Sequence, residues 1–92
     1  GLYEVAMKVA NTLPAGSNRE YLLANINLEL GHISEVIFIV NNYLKENSTN
    51  VEFLYLKALA LDMQFEEAEA RDDFRQIAGI DPGFRNVREK LI

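Results

Sequence analysis

The chain has 92 residues, a length that supports one small domain. Apolar residues make up 49% and charged residues 25% of it, proportions typical of a folded globular protein rather than a disordered chain. It contains no cysteine, which excludes disulfides and thiolate metal sites, and its net charge of −5 argues against a surface that binds nucleic acid.

Apolar residues at spacings of three and four predict helices along the chain. The first is expected at 2–13, with an apolar stripe formed by Leu2, Val5, Ala6, Val9, Ala10 and Leu13. The second is expected at 18–30. It should end at Gly31, because glycine readily takes the backbone conformation that stops a helix.

The segment 36–40 has two interpretations. Its sequence, Val-Ile-Phe-Ile-Val, is β-branched and aromatic, and taken alone it is typical of a buried strand. The apolar pattern continues to Tyr43 and Leu44, however, and no second strand is available to satisfy its backbone. We therefore predict a third helix at 34–46.

The second half predicts three more helices. Residues 51–63 are apolar nearly all round, as expected for a helix packed between neighbours. A fifth helix is expected at 66–79. A short sixth helix is expected from about 82, with Asp81 as its cap and Pro82 as its first residue.

The sequence also repeats with a period of 34 residues. Pro14 and Pro82 are separated by twice that distance, and turn-forming residues place turns at 14–17, 47–50 and 81–83. Three pairs of positions are 34 apart: Tyr21 and Tyr55, Ala24 and Ala58, and Val40 and Phe74. Two helices and two turns in each 34 residues are the signature of one class of helical repeat.

Four short segments carry a resemblance to the tetratricopeptide repeat (TPR) family. They are Leu23-Ala24, Gly31-His32-Ile33-Ser34-Glu35-Val36, Phe65-Glu66-Glu67-Ala68 and Ile80-Asp81-Pro82-Gly83. The resemblance implies an all-α fold, a fragment of a right-handed α-α superhelix of TPR-like helical hairpins. The single domain would comprise the second helix of one repeat (1–16), two full repeats (17–50 and 51–84) and the start of a further helix (85–92).

One motif departs from this frame. The Phe65–Ala68 segment comes two residues early relative to Pro82. The second full repeat should therefore have a shorter turn and a longer second helix, or a local change of register.

The resemblance also implies a concave, partner-binding groove lined by the first helix of each repeat. The residues on that face are Tyr21, Asn25, Leu28, Glu29, Tyr55, Leu59 and Asp62. Stacking of the repeats should make Tyr21 and Tyr55 neighbours. Tyrosine suits an exposed binding surface, although both tyrosines could equally be ordinary packing residues.

The expected function is that of a protein–protein interaction module, not an enzyme, that binds a peptide or protein segment. Two alternatives stay open: a self-associating scaffold, and a non-catalytic accessory region of a larger protein or enzyme. Helix 2–13 has more apolar residues than one interface needs, so either a preceding helix or a second copy of the chain should cover the surplus. Of the two, we predict a homo-oligomer formed through this N-terminal helix.

No residue pattern indicates a metal, a cofactor or a catalytic group. Glu29 and His32 have the Glu-x-x-His spacing of di-iron bundles, but that site needs a second copy and more carboxylates. The acidic run at 66–73 is expected to be a solvated helix face with ion pairs between Glu67 and Arg71 and between Asp72 and Arg75.

The sequence does not fix the compartment. It has no apolar run of the roughly 18–20 residues that a membrane-spanning helix needs, and no basic signal-peptide region at its start. A cytoplasmic location is the expectation.

Overall fold

The computed structural model describes residues 2–12 and 17–91. These residues form six helices and contain no β-strand. They are α1 (Leu2–Thr12), α2 (Ser17–Glu29), α3 (Ile33–Leu44), α4 (Val51–Met63), α5 (Glu67–Ile80) and α6 (Val87–Lys90). The first five confirm the predicted helices to within two residues at each described end. Residues 36–40 lie inside α3, so the strand interpretation is wrong.

Some expectations fall on residues outside this description. These are the turn at 14–16, residue Leu13 and the side chains of Leu2, Tyr3, Ala6 and Ala10.

The helices pack in chain order, and α2 additionally contacts α4. Both ends of α4 lie 34 positions after the corresponding ends of α2, and α5 begins 34 positions after α3. We call α2 with α3 the first hairpin and α4 with α5 the second. The longer second helix expected in the second hairpin is confirmed, since α5 has 14 residues and α3 has 12. The shorter turn is not, because three residues separate the helices in both hairpins.

Gly31 stops α2 as predicted. Its φ of +77° lies in the left-handed region that favours glycine. Its backbone N–H donates to the Leu28 carbonyl at 3.1 Å, and the N–H of His32 donates to the Asn27 carbonyl at 2.8 Å. These two bonds form a Schellman motif that satisfies carbonyls at the end of the helix.

Two groups of buried side chains form the core, and α4 contributes to both. The N-terminal cluster consists of Ala24, Val36, Val40, Phe53, Leu56 and Ala60. The C-terminal cluster consists of Leu54, Tyr55, Ala58, Leu61, Ala70, Phe74, Ile77 and Val87. Because α4 lies between the two clusters, its apolar residues are needed on nearly every side, as the sequence predicted.

The sixth helix begins later than predicted. Asp81 does accept the expected cap bond, from the Gly83 N–H at 3.2 Å, but the chain makes only a turn there. Arg85 has φ +45°, which interrupts a right-handed helix, and α6 starts at Val87. Val87 is fully buried in the C-terminal cluster, and Phe84 and Leu91 pack against that cluster.

Candidate functional site

A recess lies beside the N-terminal turns of α2 and α4, the first helices of the two hairpins. Its volume is about 350 Å³, and it is lined by Asn18, Tyr21, Asn50, Glu52 and Phe53. We call it the Tyr21 recess. Asn50 also caps α4, since its side-chain oxygen accepts the Phe53 N–H at 3.3 Å. That cap fixes the start of α4 and with it the position of Glu52 and Phe53.

An aromatic row forms the apolar side of the recess. The Phe53 ring stacks on Tyr43 of α3 with centroids 3.8 Å apart, and Tyr21 of α2 meets Phe53 edge-on at 5.8 Å. Phe53 is buried, whereas Tyr21 and Tyr43 are half-buried. The row joins α2, α3 and α4, and edge-on contacts such as that between Tyr21 and Phe53 add to the energy of burial.

Arg85 connects this recess to the C-terminal segment. Its Nη2 donates to Glu52 Oε2 at 2.9 Å and to Tyr21 Oη at 3.3 Å. The guanidinium carbon lies 5.0 Å from the centre of the Tyr55 ring and 5.3 Å from that of Phe84, within cation–π distance. One arginine therefore contacts both tyrosines that the sequence placed in the groove.

The environment of Arg85 favours its charged form. Partial burial acts to lower the pKa of this guanidinium, because removal of water disfavours a charge. The hydrogen bond to Tyr21 and the negative charge of Glu52 act in the opposite sense and outweigh it. The pKa of Arg85 is consequently raised above its ordinary value.

Tyr55 is mainly a packing residue in this structure. Its side chain is 8% exposed, and its ring contacts Phe74 and Phe84 with centroids 6.0 and 5.7 Å away. Its hydroxyl donates to Asn86 Oδ1 at 2.7 Å. The residues after α5 thus cover Tyr55.

The other residues expected in the groove do not line the Tyr21 recess. Leu28 packs against the N-terminal cluster, whereas Leu59 packs against the C-terminal cluster. Asn25 is half-buried, and Glu29 is exposed at the end of α2. Asp62 lines a different recess of about 260 Å³, together with Glu67, Ala70, Arg71, Phe74, Glu89 and Lys90. Of the seven expected residues, Tyr21 is in the described lining of the Tyr21 recess and the other six are not. Tyr55 is linked to the recess indirectly, because Arg85 lies over its ring and bonds to Tyr21 and Glu52.

A further recess of about 410 Å³ shares Tyr43 with the aromatic row. It is lined by Glu20, Asn42, Tyr43, Glu46 and Asn47. It thus carries two carboxylates, those of Glu20 and Glu46.

Metal-binding groups are not brought together in residues 2–12 and 17–91: no three His, Cys, Asp or Glu side chains there could hold one ion. His32 instead lies at the turn after α2, with Nδ1 3.3 Å from Asn27 Oδ1. Asp72 and Arg75 pair at 3.8 Å as expected. The described side chains of Glu67 and Arg71 do not form the second ion pair.

Five residues that line the Tyr21 recess or bond to its lining were not identified as site residues from the sequence: Asn18, Asn50, Glu52, Phe53 and Arg85. Asn18 and Glu52 lie on the predicted first helices, so the helix-start position shared by both repeats was a usable signal. Arg85 lies in a C-terminal stretch that also holds Arg88 and Lys90, and no pattern singled it out.

The sequence matches no model of a known protein family and no curated protein. No helix in the described part of the chain is long and apolar enough to cross a membrane. The function is therefore argued from the site itself.

Proposed function

We propose that the chain is a TPR-like domain, a segment of a right-handed α-α superhelix, and that it binds a segment of a protein partner rather than catalysing a reaction. The 34-residue offset between equivalent helices supports this architecture. The contact between α2 and α4 supports it further, because it brings the first helices of the two hairpins side by side.

The Tyr21 recess is the observation that carries the proposal. It lies where α2 and α4 begin, and it offers a half-buried tyrosine beside amide and carboxylate groups. Tyrosine contributes contact area and a polar tip at low entropic cost, and such residues dominate the energy of many interfaces. A peptide side chain entering the recess would find aromatic surface and hydrogen-bonding groups together.

A peptide-selection experiment tests this function. A random peptide library displayed on phage is selected against the protein, and a selected peptide is synthesised and titrated while backbone amide NMR shifts are followed. We expect the largest shifts in the first turns of α2 and α4. Tyr21→Ala should weaken binding about tenfold or more, the loss typical of a central interface residue.

Phe38→Ala is the matched control, because Phe38 is an aromatic residue of α3 that is 66% exposed and lies outside the recess lining. It should leave the affinity unchanged. Tyr55→Ala is unsuitable, since Tyr55 is buried and its loss would disturb the core. Selected peptides that shift other surfaces, or that bind equally well to Tyr21→Ala, would contradict the proposed site.

A second function, self-association as a scaffold, is favoured by α1. Val5 and Val9 are 60% and 49% exposed, four residues apart on one face of the helix. Adjacent exposed valines suit an interface with a second copy of the chain. The mass of the protein in solution tests this function.

A further inference from the structure

Arg85 makes the contacts at the Tyr21 recess that a bound ligand would make. Its guanidinium is held by the carboxylate of Glu52 and by the hydroxyl of Tyr21, which both line the recess. It also lies over the Tyr55 ring. Carboxylate, hydroxyl and aromatic face together form a favourable environment for a guanidinium group.

The contacts of Arg85 are also easily exchanged. The side chains of Arg85 and Glu52 are 46% and 45% exposed, so water reaches their ion pair and weakens it. The backbone of Arg85 is left-handed, with φ +45°, a conformation that is unfavourable for any residue with a Cβ atom. The exposed ion pair with Glu52 is therefore the contact of Arg85 that another guanidinium could most easily replace.

The charges around the recess favour a cationic partner. Among the five lining residues that the structure describes, Glu52 is charged and the others are neutral, and Arg85 pairs with that negative charge. The neighbouring recess adds Glu20 and Glu46, and the chain as a whole carries −5. A basic peptide would be attracted to this surface, whereas an acidic one would be repelled.

We propose that the Tyr21 recess binds an arginine side chain of a partner peptide, and that Arg85 occupies the charged end of this site in the free protein. The incoming guanidinium would replace that of Arg85 on Glu52 and Tyr21. Arg85 thus acts as an internal competitor that lowers the apparent affinity for the partner. This inference rests on the proposed function and specifies the partner's chemistry.

The test uses the blocked tripeptide acetyl-Gly-Arg-Gly-amide, titrated into the full chain and followed by amide NMR shifts. If Arg85 fills the site about nine-tenths of the time, Arg85→Ala should tighten binding about tenfold. Adding Glu52→Gln to Arg85→Ala should reverse the gain, because the carboxylate is lost. The same peptide with neutral citrulline in place of arginine should not bind measurably to any variant.

Arg75→Ala is the control for charge alone. Arg75 is another exposed, paired arginine, so this variant changes the net charge by the same amount at a distant place. If Arg75→Ala tightens binding of the arginine peptide as much as Arg85→Ala does, the gain comes from the change in net charge and the proposal is wrong. Equal affinities of the unmodified protein and Arg85→Ala would also overturn it.

A second measurement avoids reliance on a variant that could misfold. The side-chain Nε–H signal of Arg85 in the unmodified protein should move to its free position as the arginine peptide saturates. Saturation without that change would show that the peptide does not displace Arg85, and it would overturn the proposal. A library peptide that binds at Tyr21 without arginine would refute this inference and leave the proposed function standing, whereas peptides that bind only elsewhere would refute both.

Discussion

Gly31 and Phe65, which lie 34 positions apart, have the same left-handed backbone conformation at the ends of α2 and α4. Their φ angles are +77° and +62°. Phe65 also repeats the bonds made at Gly31: its N–H donates to the Asp62 carbonyl at 3.1 Å, and the N–H of Glu66 donates to the Leu61 carbonyl at 2.9 Å. Two equivalent Schellman motifs therefore stop the first helices, one with glycine and one with a bulky residue.

The strain at Phe65 predicts that Phe65→Gly stabilises the protein. A left-handed conformation costs an L-residue about 1–2 kcal/mol, and glycine avoids this cost. The greater freedom of glycine in the unfolded chain offsets part of the gain, so we expect the free energy of unfolding to rise by about 0.5–1 kcal/mol. Urea denaturation measures it. Little burial is lost, because Phe65 is 86% exposed.

Phe65→Ala separates the backbone effect from removal of the ring, since alanine lacks the ring but keeps the Cβ atom. It should be less stable than Phe65→Gly. Gly31→Ala should show the opposite change and lose about 1 kcal/mol. No atom would clash with the new Cβ, so the loss reports the backbone alone. Equal stabilities of the glycine and alanine variants at position 65 would contradict this account.

Phe74→Ala should be strongly destabilising. Phe74 is 3% exposed in the C-terminal cluster, and its ring contacts Tyr55. Removing a buried phenylalanine leaves a cavity and costs about 3–5 kcal/mol. Phe38→Ala is the control, since an exposed phenylalanine should change stability by no more than about 0.5 kcal/mol. Similar midpoints for the two variants in urea would mean that Phe74 is not a core residue.

Ala24 and Ala58, which lie 34 positions apart, predict that enlarging a buried side chain is also destabilising. Ala24 and Ala58 are fully buried, one in each cluster, so a larger side chain has no room between the helices. Ala24→Leu and Ala58→Leu should each lower the free energy of unfolding by about 1–3 kcal/mol. Ala68→Leu on α5, at an exposed position, should leave it nearly unchanged. Thermal midpoints that did not separate the buried from the exposed substitutions would contradict the packing.

Apolar spacing predicted five helices and the central place of α4 because burial imposes the helical period on the sequence. The 34-residue repeat placed Ala24 at the position equivalent to Ala58, and both are buried. Apolar spacing failed between Pro82 and Val87, where Asp81 does cap the turn but the backbone of Arg85 breaks the helix. Left-handed conformations are usual for glycine, so a sequence with arginine there gives no sign of the break.

Arg85 also explains why the site could be predicted only in part. Tyr21 was located by its position on α2, but Arg85 meets it from 64 positions away and meets Glu52 from 33. Such contacts depend on the exact path of the chain after α5, which local patterns do not encode. Tyr55 was placed in the groove by its register, and the segment that covers it was not foreseen.

Asp73 predicts a dependence of stability on pH. Burial raises its pKa above the ordinary value of 3.8, and the charges of Asp72 and Glu69 add to the increase, while Lys57 opposes it. The folded state therefore favours the protonated carboxyl. The stability contributed by that proton is complete below the ordinary pKa and is lost as the pH rises through the folded one.

Asp73→Asn should abolish the loss of stability that ionisation of Asp73 causes at higher pH. Relative to the unmodified protein, the variant should gain stability as the pH rises from below 3.8, the ordinary pKa of the carboxyl, to neutrality. The comparison requires urea denaturation at several pH values. Asp62→Asn, at an exposed position, is the matched control for the removal of one negative charge. A constant difference between Asp73→Asn and the unmodified protein across this range would contradict the prediction.

The exposed valines of α1 predict a concentration-dependent mass. If Val5 and Val9 form an interface with a second copy, burying glutamate there would cost several kcal/mol per charge, so Val5→Glu with Val9→Glu should yield a monomer. The pair is 60% and 49% exposed, and the substitutions should therefore leave the fold intact by circular dichroism. Asn41→Glu with Asn42→Glu adds the same charge at exposed positions of α3 and should not change the mass. Sedimentation equilibrium from micromolar to millimolar protein decides the matter: a monomer throughout for the unmodified chain would refute self-association through α1, and so would an oligomer that the α1 substitutions leave intact.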